Sequence, residues 1–280
     1  MNLQKQINNL FFNQLNNWPQ LQDAINQLSK VNSKQIKWND GSYVTIQFNK
    51  ARITSTSASL DKKHIIQRPC FLCEENRPKE QQGISFLKKY VILCNPFPIL
   101  KNHLTIALHS HVPQRIRNKI GDILTLTEQL DDYIVFYNGA KCGASAPDHF
   151  HLQAGLKTDV LLQGDNDLRP CMIINSENRD EAIELFEEVY QYLSSLQPEE
   201  EEPMMNIISY YEDGAYNINI FPRKQHRPTQ YYKEGNDKLL LSPGALDMAG
   251  LLITVREEDF DKIERSDIED VYNQVSWPII

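Results

Sequence analysis

Apolar residues along the chain recur with two periods, one typical of helices and one typical of strands. Helical spacing covers residues 3–28, with an interruption near Pro19, and returns over residues 113–133, over 181–196 and briefly near Glu257. Shorter apolar or alternating runs predict strands over residues 42–48, 90–94, 103–108, 134–137, 149–153, 206–211, 216–221 and 251–255. Strands that follow one another through turns, with helices between them, predict an α+β fold with a largely antiparallel sheet flanked by helices.

Composition and charge exclude several classes of function. The chain of 280 residues carries a formal net charge of −8, so no global field attracts nucleic acid or an anionic membrane. No apolar run approaches the roughly 20 residues that span a bilayer, and the N-terminus does not resemble a signal peptide. The five cysteines are odd in number and scattered, which argues against a disulfide framework and favours the cytoplasm.

The segment 143–153, Gly-Ala-Ser-Ala-Pro-Asp-His-Phe-His-Leu-Gln, contains the most informative polar pattern. In a strand, alternate residues face the same way, so His149, His151 and Gln153 are expected on one face, with Phe150 and Leu152 facing the core. Three polar groups on one face of an apolar strand are costly unless a ligand or a metal satisfies them. The alternative is an exposed strand whose histidines contact only water.

A second candidate site is the pair Cys70 and Cys73, separated by Phe-Leu. Such a pair can be a redox dithiol, half of a zinc site or two chance core cysteines. A redox pair usually lies between the strand and helix of a βαβ unit, whereas this one lies in a turn-like setting. Two thiolates need two further ligands for a tetrahedral zinc site, and His111 and His149 are available.

Segment 136–153 resembles the active-site segment of the diadenosine tetraphosphate phosphorylases. They belong to the branch of the histidine-triad superfamily that also contains the galactose-1-phosphate uridylyltransferases and GDP-galactose phosphorylases. This branch carries His-x-His-x-Gln where the hydrolytic branch has three histidines. The resemblance continues over residues 90–107, 220–228 and 241–253. It implies a histidine-triad-like nucleotidyltransferase domain over 45–280, with halves of about 45–165 and 166–280, preceded by an N-terminal helical segment, 1–44.

The resemblance implies that His151 is the catalytic nucleophile and that Gln153 is the second catalytic residue. A neutral imidazole can attack an α-phosphorus and divide one displacement into two steps through a covalent intermediate. The amide of Gln153 can donate to phosphoryl oxygens but cannot exchange a proton, which favours transfer over hydrolysis. Gly143 and Ser145 are expected to bind phosphate as a small-residue anion nest, or else form an ordinary tight turn.

The resemblance also implies a structural zinc ion held by Cys70, Cys73, His111 and His149. His109 is a rival for His111, because both lie in the same short segment. Four protein ligands leave no open position, so the metal would stabilise the fold. The resembling phosphorylases often lack the cysteine pair and the uridylyltransferases often keep it, which leaves the choice between these two classes open.

Residues 223–227, Arg-Lys-Gln-His-Arg, form the densest basic run of this acidic chain. The run lies in a segment that the resemblance covers, so Arg223 and Lys224 are predicted to bind substrate phosphates, with Arg52 and Arg77 as weaker candidates. The alternative is a solvated loop.

The sequence thus predicts a nucleotidyltransferase or phosphorylase that acts on a nucleotide and on phosphate or a sugar phosphate, and phosphorolysis of a dinucleoside polyphosphate is the leading reaction. The alternatives are a nucleotide-sugar phosphorylase or hexose-1-phosphate uridylyltransferase, a hydrolase, and a zinc-stabilised nucleotide-binding module without turnover. No nucleic-acid or membrane partner is expected, and a homodimer is left open.

Overall fold

The structure, a computed structural model, describes residues 2–57, 65, 67–159 and 168–278. The described strands are β1 (Asn32–Lys37), β2 (Tyr43–Phe48), β3 (Gly83–Phe86), β4 (Tyr90–Cys94), β5 (Leu104–Leu108), β6 (Tyr133–Asn138), β7 (His151–Leu156), β8 (Met172–Ser176), β9 (Met205–Glu212), β10 (Ala215–Pro222) and β11 (Leu251–Thr254). The described helices are α1 (Leu3–Asn17), α2 (Pro19–Leu28), α3 (Ile53–Thr56), α4 (Ile120–Gln129), α5 (Arg179–Leu196), α6 (Ala245–Met248), α7 (Glu257–Lys262) and α8 (Arg265–Val275).

The described strands form two sheets. The larger has eight strands in the order β3-β4-β5-β7-β6-β9-β10-β8, and each neighbouring pair is antiparallel. The smaller has the order β1-β2-β11, in which β11 runs parallel to β2. The predicted α+β fold with a largely antiparallel sheet flanked by helices is confirmed.

Both faces of the large sheet are covered. Successive side chains of a strand point to opposite faces, and β6 shows the consequence because it is buried throughout. Val135 and Tyr137 join the apolar cluster that includes α1, α4 and α5, whereas Ile134 and Phe136 join the cluster formed with α6, α8 and β11. The strand β7 lies between β5 and β6 in this sheet, and Ala107 of β5 is opposite His151 of β7.

The helix predicted over residues 113–133 is shorter than its apolar spacing suggested. The helix α4 begins at Ile120 and ends at Gln129. Asn118 has φ +64°, outside the helical region, and the backbone N–H groups of Ile116 and Arg117 donate to the Glu202 carboxylate instead of to helical carbonyls. A tertiary contact therefore replaces the first two turns of the predicted helix.

Several elements lay outside the sequence prediction. The strand β1 falls within the segment 1–44 that was expected to be helical, and its residues are mostly polar and exposed, so they carry no apolar alternation. It forms because β2 offers a free edge, to which it pairs from Asn32 to Lys37. The strands β3 and β8 and the helix α8 were also not predicted. None of the described helices combines the length and apolarity that a membrane span requires.

Candidate active site and metal cluster

Four side chains that are distant in sequence meet at one end of the strand pair β5–β7. This group of possible metal ligands, referred to as the metal cluster, contains Cys70, Cys73, His111 and His149. Their potential ligand atoms all lie within 4.8 Å of one another. The Sγ atom of Cys70 is 3.3 Å from Nδ1 of His149, and Sγ of Cys73 is 3.2 Å from Nδ1 of His111. The rival candidate His109 is exposed and is not part of the cluster. The predicted residues are therefore brought together, and they could hold a metal ion.

The hydrogen bonds around the two histidines suit metal binding. The Nε2 atom of His149 donates to the carbonyl of Leu108 over 2.8 Å, and Nε2 of His111 lies 3.4 Å from Oδ2 of Asp148. A carbonyl only accepts, so the lone pair of His149 is on Nδ1, the atom that faces the sulfurs. Zn–S and Zn–N bonds in a tetrahedral site place ligand atoms roughly 3.3–3.8 Å apart, close to the distances found here.

The strand β7 begins two residues later than predicted, and this changes the setting of His149. Its backbone N–H donates to the carbonyl of Ala146, which places it in a turn ahead of the strand. His149 is therefore directed to the metal cluster by the turn and not by strand alternation. Alternation does hold for His151 and Gln153, which both line the adjacent cavity, with Leu152 between them in the core.

A cavity of about 580 Å³ opens beside the metal cluster and over β5 and β7. The polar residues of the wall include His151, Gln153 and Ser145. Apolar residues line the wall as well, and its aromatic members come from three separate parts of the chain. They are Trp18 from the junction of α1 and α2, Phe71 from the loop between the two cysteines, and Phe97 from the turn between β4 and β5. This volume suits a nucleotide-sized ligand.

His151 is held as a neutral base. Its Nδ1 atom donates to the carbonyl of His149 over 2.9 Å, so the lone pair is on Nε2. Burial lowers the pKa of His151 to about 4. The imidazole is therefore unprotonated at neutral pH and has a free nitrogen for nucleophilic attack.

The Gln114 side chain fixes the backbone of His151 from behind. The amide nitrogen donates to the carbonyls of Asn138 and His151, and its oxygen accepts the backbone N–H of His151 over 2.7 Å. Gln114 is almost fully buried at 1% exposure. It ties β6 to the first residue of β7, which explains why the chain around Gln114 does not continue the helix α4.

A hydrogen-bonded chain determines which way the Gln153 amide points. The backbone N–H of Ile99 donates to Nδ1 of His103 over 3.1 Å, so the ring proton of His103 is on Nε2. That atom lies 2.9 Å from Oε1 of Gln153 and donates to it. Burial lowers the pKa of His103 to about 3, which keeps the ring neutral. The Gln153 oxygen is thereby engaged, and its NH₂ group remains available as a donor.

Gly143 lies beside the cavity, in a small polar pocket of about 50 Å³ that shares Arg52 and Gln153 with it. Gly143 has φ +92°, and a Cβ atom there would come within 2.9 Å of the Gly244 Cα atom. Only glycine fits this conformation and this close approach. Ser145 and Gly143 therefore border neighbouring parts of one site.

Arg223 and Lys224, which the sequence predicted to bind substrate phosphates, are not among the residues that line the cavity or the small pocket. Arg223 is fully buried, and its guanidinium donates to the carbonyls of residues 225, 226, 243 and 275 and to the side chain of Asn206. Lys224 is exposed and borders neither the cavity nor the small pocket. A basic run thus contains one arginine that joins segments of the interior and one solvated lysine.

Among the residues that the structure describes, Arg52 and Arg68 are the cations in the cavity wall. Arg52 donates to the carbonyl of Phe97, and desolvation lowers its pKa to about 10, so it stays charged at neutral pH. Arg68 contacts Asp148 over 2.5 Å. The sequence indicated Arg52 only as a weaker phosphate-binding candidate, and Arg68 was not predicted. Its position two residues before Cys70 is the one sequence signal that could have drawn attention to it.

We expect Arg223→Ala to lower stability and to leave the nucleotide affinity of the folded fraction unchanged. Several buried carbonyls lose their donor, which should cost on the order of 3 kcal/mol. In a chain of this size that lowers the melting temperature by roughly 6–12 °C. Thermal denaturation measures the change, and Lys224→Ala, next to it and exposed, is the matched control that should leave the melting temperature within about 1 °C. A normal melting temperature combined with weakened nucleotide binding would support the predicted phosphate-binding role of Arg223.

The fold is similar to that of a diadenosine tetraphosphate (Ap4A) phosphorylase. The structure of yeast Ap4A phosphorylase Apa2 matches with a TM-score of 0.62 and 14% identity, over 92% of this chain and 97% of that chain. Its complex with Ap4A matches with a TM-score of 0.61 and 16% identity, over 94% and 98%. An ADP-glucose phosphorylase from Arabidopsis thaliana matches with a TM-score of 0.37 and 13% identity, over 88% and 100%. The matches to the yeast phosphorylase confirm the predicted resemblance in fold.

A family described as a domain of unknown function, DUF4922, has a model that matches residues 10–156. The chain belongs to this family. The match includes the metal cluster, His151 and Gln153, and it begins inside α1. No curated protein matches the sequence.

Proposed function

We propose that the protein is a nucleotidyltransferase that transfers a nucleoside monophosphate through a covalent intermediate on His151, and that its reaction is the phosphorolysis of a dinucleoside polyphosphate. One observation carries the proposal. A neutral histidine, with its Nδ1 proton fixed on a carbonyl, lies in the wall of a nucleotide-sized cavity beside an oriented glutamine amide and two arginines. These are the groups that phosphoryl transfer by covalent catalysis requires.

In the first step, Nε2 of His151 forms a bond to the α-phosphorus of the bound nucleotide. The bond from that phosphorus to the bridging oxygen breaks, and the polyphosphate leaves with the electron pair. The Nδ1 proton stays on the ring, whose developing positive charge lies against the His149 carbonyl oxygen. In the second step an oxygen of inorganic phosphate attacks the same phosphorus, and the bond to Nε2 breaks. With diadenosine tetraphosphate the products are ATP and then ADP.

The remaining side chains would bind and stabilise charge. The NH₂ group of Gln153 would donate to the non-bridging oxygens as they gain charge in the transition state. Arg52 and Arg68 would neutralise the phosphates, and Ser145 offers a further donor. Zinc bound by the Cys and His cluster would stabilise the turn that carries His149, without taking part in the transfer. The yeast phosphorylase with the same fold was solved with AMP and with Ap4A.

A hexose-1-phosphate uridylyltransferase or nucleotide-sugar phosphorylase is the second candidate. The observation that favours it is the assembled cluster of two cysteines and two histidines, because the sequence resemblance linked the cysteine pair to the uridylyltransferases. The covalent step on His151 is common to both candidates. They differ in the leaving group and in the acceptor, which a substrate screen distinguishes. We propose a cytoplasmic enzyme without nucleic-acid or membrane partners, and we leave a homodimer open.

The test is a screen of diadenosine tetraphosphate, ADP-glucose and UDP-glucose, each with and without inorganic phosphate and with and without galactose 1-phosphate, analysed by product mass. Phosphate-dependent formation of ADP and ATP from diadenosine tetraphosphate supports the leading proposal. UDP-galactose formed from UDP-glucose and galactose 1-phosphate supports the uridylyltransferase. Products that form equally without either acceptor indicate a hydrolase, and binding without any product indicates a module without turnover.

We expect replacement of Gln153 to slow nucleotidyl transfer, because the substrate phosphate then loses the NH₂ donor of the side chain. Gln153→Ala should lower turnover by about 10²–10³, the usual cost of one transition-state donor. Gln153→Glu, of the same shape, should be at least as slow, because it presents negative charge to the phosphates. His103→Leu frees the amide to rotate and should cause a smaller loss, on the order of 10-fold. Steady-state kinetics with the substrate found in the screen measures these changes, and a His103→Leu enzyme as fast as wild type would show that the amide needs no fixing.

A further inference from the structure

Asp148 lies between the metal cluster and the cavity and contacts a residue of each. Its Oδ1 atom accepts from Nη2 of Arg68 over 2.5 Å, and its Oδ2 atom lies 3.4 Å from Nε2 of His111. The carboxylate is sheltered, with a side-chain exposure of 19%. Asp148 immediately precedes the cluster residue His149 and comes three residues before His151. One carboxylate thus bridges a cavity cation and a metal-binding histidine.

Arg68 itself has the contacts expected of a residue that is aimed at a ligand. It lines the cavity together with His151 and Gln153. Its guanidinium lies over the ring of Phe71, 5.4 Å from the ring centre, and Phe71 is part of the loop between the two cysteines. Nη1 of Arg68 is buried and, among the described residues, has no hydrogen-bond partner. A guanidinium with one end fixed by a carboxylate and another nitrogen unpaired can still bind an anion.

We propose that Asp148 is a positioning residue that holds Arg68 toward the substrate phosphates and, with its other oxygen, holds His111 in the orientation that binds the metal. This inference rests on the proposed function, because it takes a nucleotide as the ligand of the cavity. A carboxylate that accepts from the outer nitrogen of a metal-bound histidine fixes its tautomer and orientation. One oxygen of Asp148 contacts Arg68 and the other lies near His111. A metal bound to His111 would therefore help to hold Asp148, and through it Arg68, in place.

The chemistry of the two contacts explains why a carboxylate is needed here. Arg68 and the outer nitrogen of His111 are both donors, so the bridging group must offer two acceptors. Asparagine has one acceptor oxygen and would present its NH₂ group to one of these donors. Glutamate keeps both acceptors on a longer side chain. Asp148→Asn should therefore break one contact of the bridge, and Asp148→Glu should retain much of it.

The test uses the zinc-loaded full chain and two measurements, the affinity for AMP by titration calorimetry and the rate of zinc release to a coloured chelator. Asp148→Asn should weaken AMP binding and speed zinc release, each by about 10-fold to 100-fold. Asp148→Glu should recover a large part of both. Glu75→Gln is the matched control, because it removes one negative charge beside the cysteine pair, in an exposed residue outside the cavity wall.

The double variant Arg68→Ala, Asp148→Asn decides whether Asp148 acts through Arg68. If it does, Asp148→Asn causes no further loss of AMP affinity once Arg68 is absent, while zinc release is still faster. Additive losses of AMP affinity, or an Asp148→Asn chain that matches Glu75→Gln in both measurements, would overturn the inference while leaving the proposed function intact. A wild-type chain that binds neither AMP nor ATP would overturn the proposed function and the role given to Arg68 together.

Discussion

His151→Asn is expected to abolish covalent labelling by a radiolabelled nucleotide and to lower turnover by about 10⁴–10⁶, the loss found when the nucleophile of a covalent enzyme is removed. Wild-type protein incubated with labelled diadenosine tetraphosphate, without phosphate, should retain one nucleotide per chain. The linkage is a phosphoramidate, stable in alkali and labile in acid, and peptide mapping should place it on His151. The substitution keeps a polar side chain of smaller volume, so the cavity and the fold should persist.

A control variant and a pH profile test whether labelling depends on His151. His109→Asn changes an exposed histidine that lies outside the cavity wall and the metal cluster, and should label like wild type. Because burial lowers the pKa of His151 to about 4, the wild-type labelling rate should stay level from about pH 8 to about pH 5.5, where an ordinary imidazole with a pKa of about 6.5 would be largely protonated. Normal turnover in His151→Asn, or a label mapped to another residue, would refute covalent catalysis at this site.

Removal of the metal is expected to cause the largest loss of stability. The predicted content is about one zinc ion per chain, measured by elemental analysis of protein purified without chelator. With zinc at about 1,000 times its dissociation constant, binding contributes about 4 kcal/mol to the free energy of unfolding. Stripping it should therefore lower the melting temperature by roughly 8–16 °C. The reason is that an ion bound by these four residues would join the loop of residues 70–73 to the segments that carry His111 and His149.

The matched variants are His111→Ala and His109→Ala, which change two histidines of the same short segment. His111→Ala should lower both zinc content and melting temperature, and a chelator should have little further effect on it. His109→Ala should retain zinc and show the full response to chelator, since His109 is not in the cluster. A wild-type chain that contains no zinc and does not respond to added zinc would contradict the metal assignment.

Local sequence patterns were sufficient for most elements of the sheet. The predicted strand over residues 90–94 has the observed bounds, and the hairpin formed by β9 and β10 extends its prediction by one residue at each end. The strand β4 is an apolar run, and β9 and β10 are mostly buried strands rich in isoleucine and aromatic residues, so these strands are visible in the sequence without knowledge of the partner strand. The strand β1 was missed for the opposite reason, because its polar residues are ordered by pairing with β2.

The candidate site also has parts that the sequence predicted and parts that depend on contacts between distant segments. The residues His151 and Gln153 and the four members of the metal cluster were named from the sequence, because their side-chain chemistry and spacing are unusual for a core or a surface. Their catalytic and metal-binding roles remain proposals. The prediction of a helix from residue 113 was wrong at its start, because the Gln114 amide and the Glu202 carboxylate form hydrogen bonds with backbone groups there. No local sequence pattern encodes these contacts.

By itself, the sequence determined the class of fold and indicated the candidate side chains of the site, because apolar periodicity and the donor atoms of histidine, cysteine and glutamine are properties of single segments. Only the tertiary structure decided which charges reach the cavity. It buried Arg223 among backbone carbonyls and placed Arg52 and Arg68 in the cavity wall. An arginine has the same charge in either place, and whether it meets a substrate or a carbonyl depends on segments that are far away in the chain.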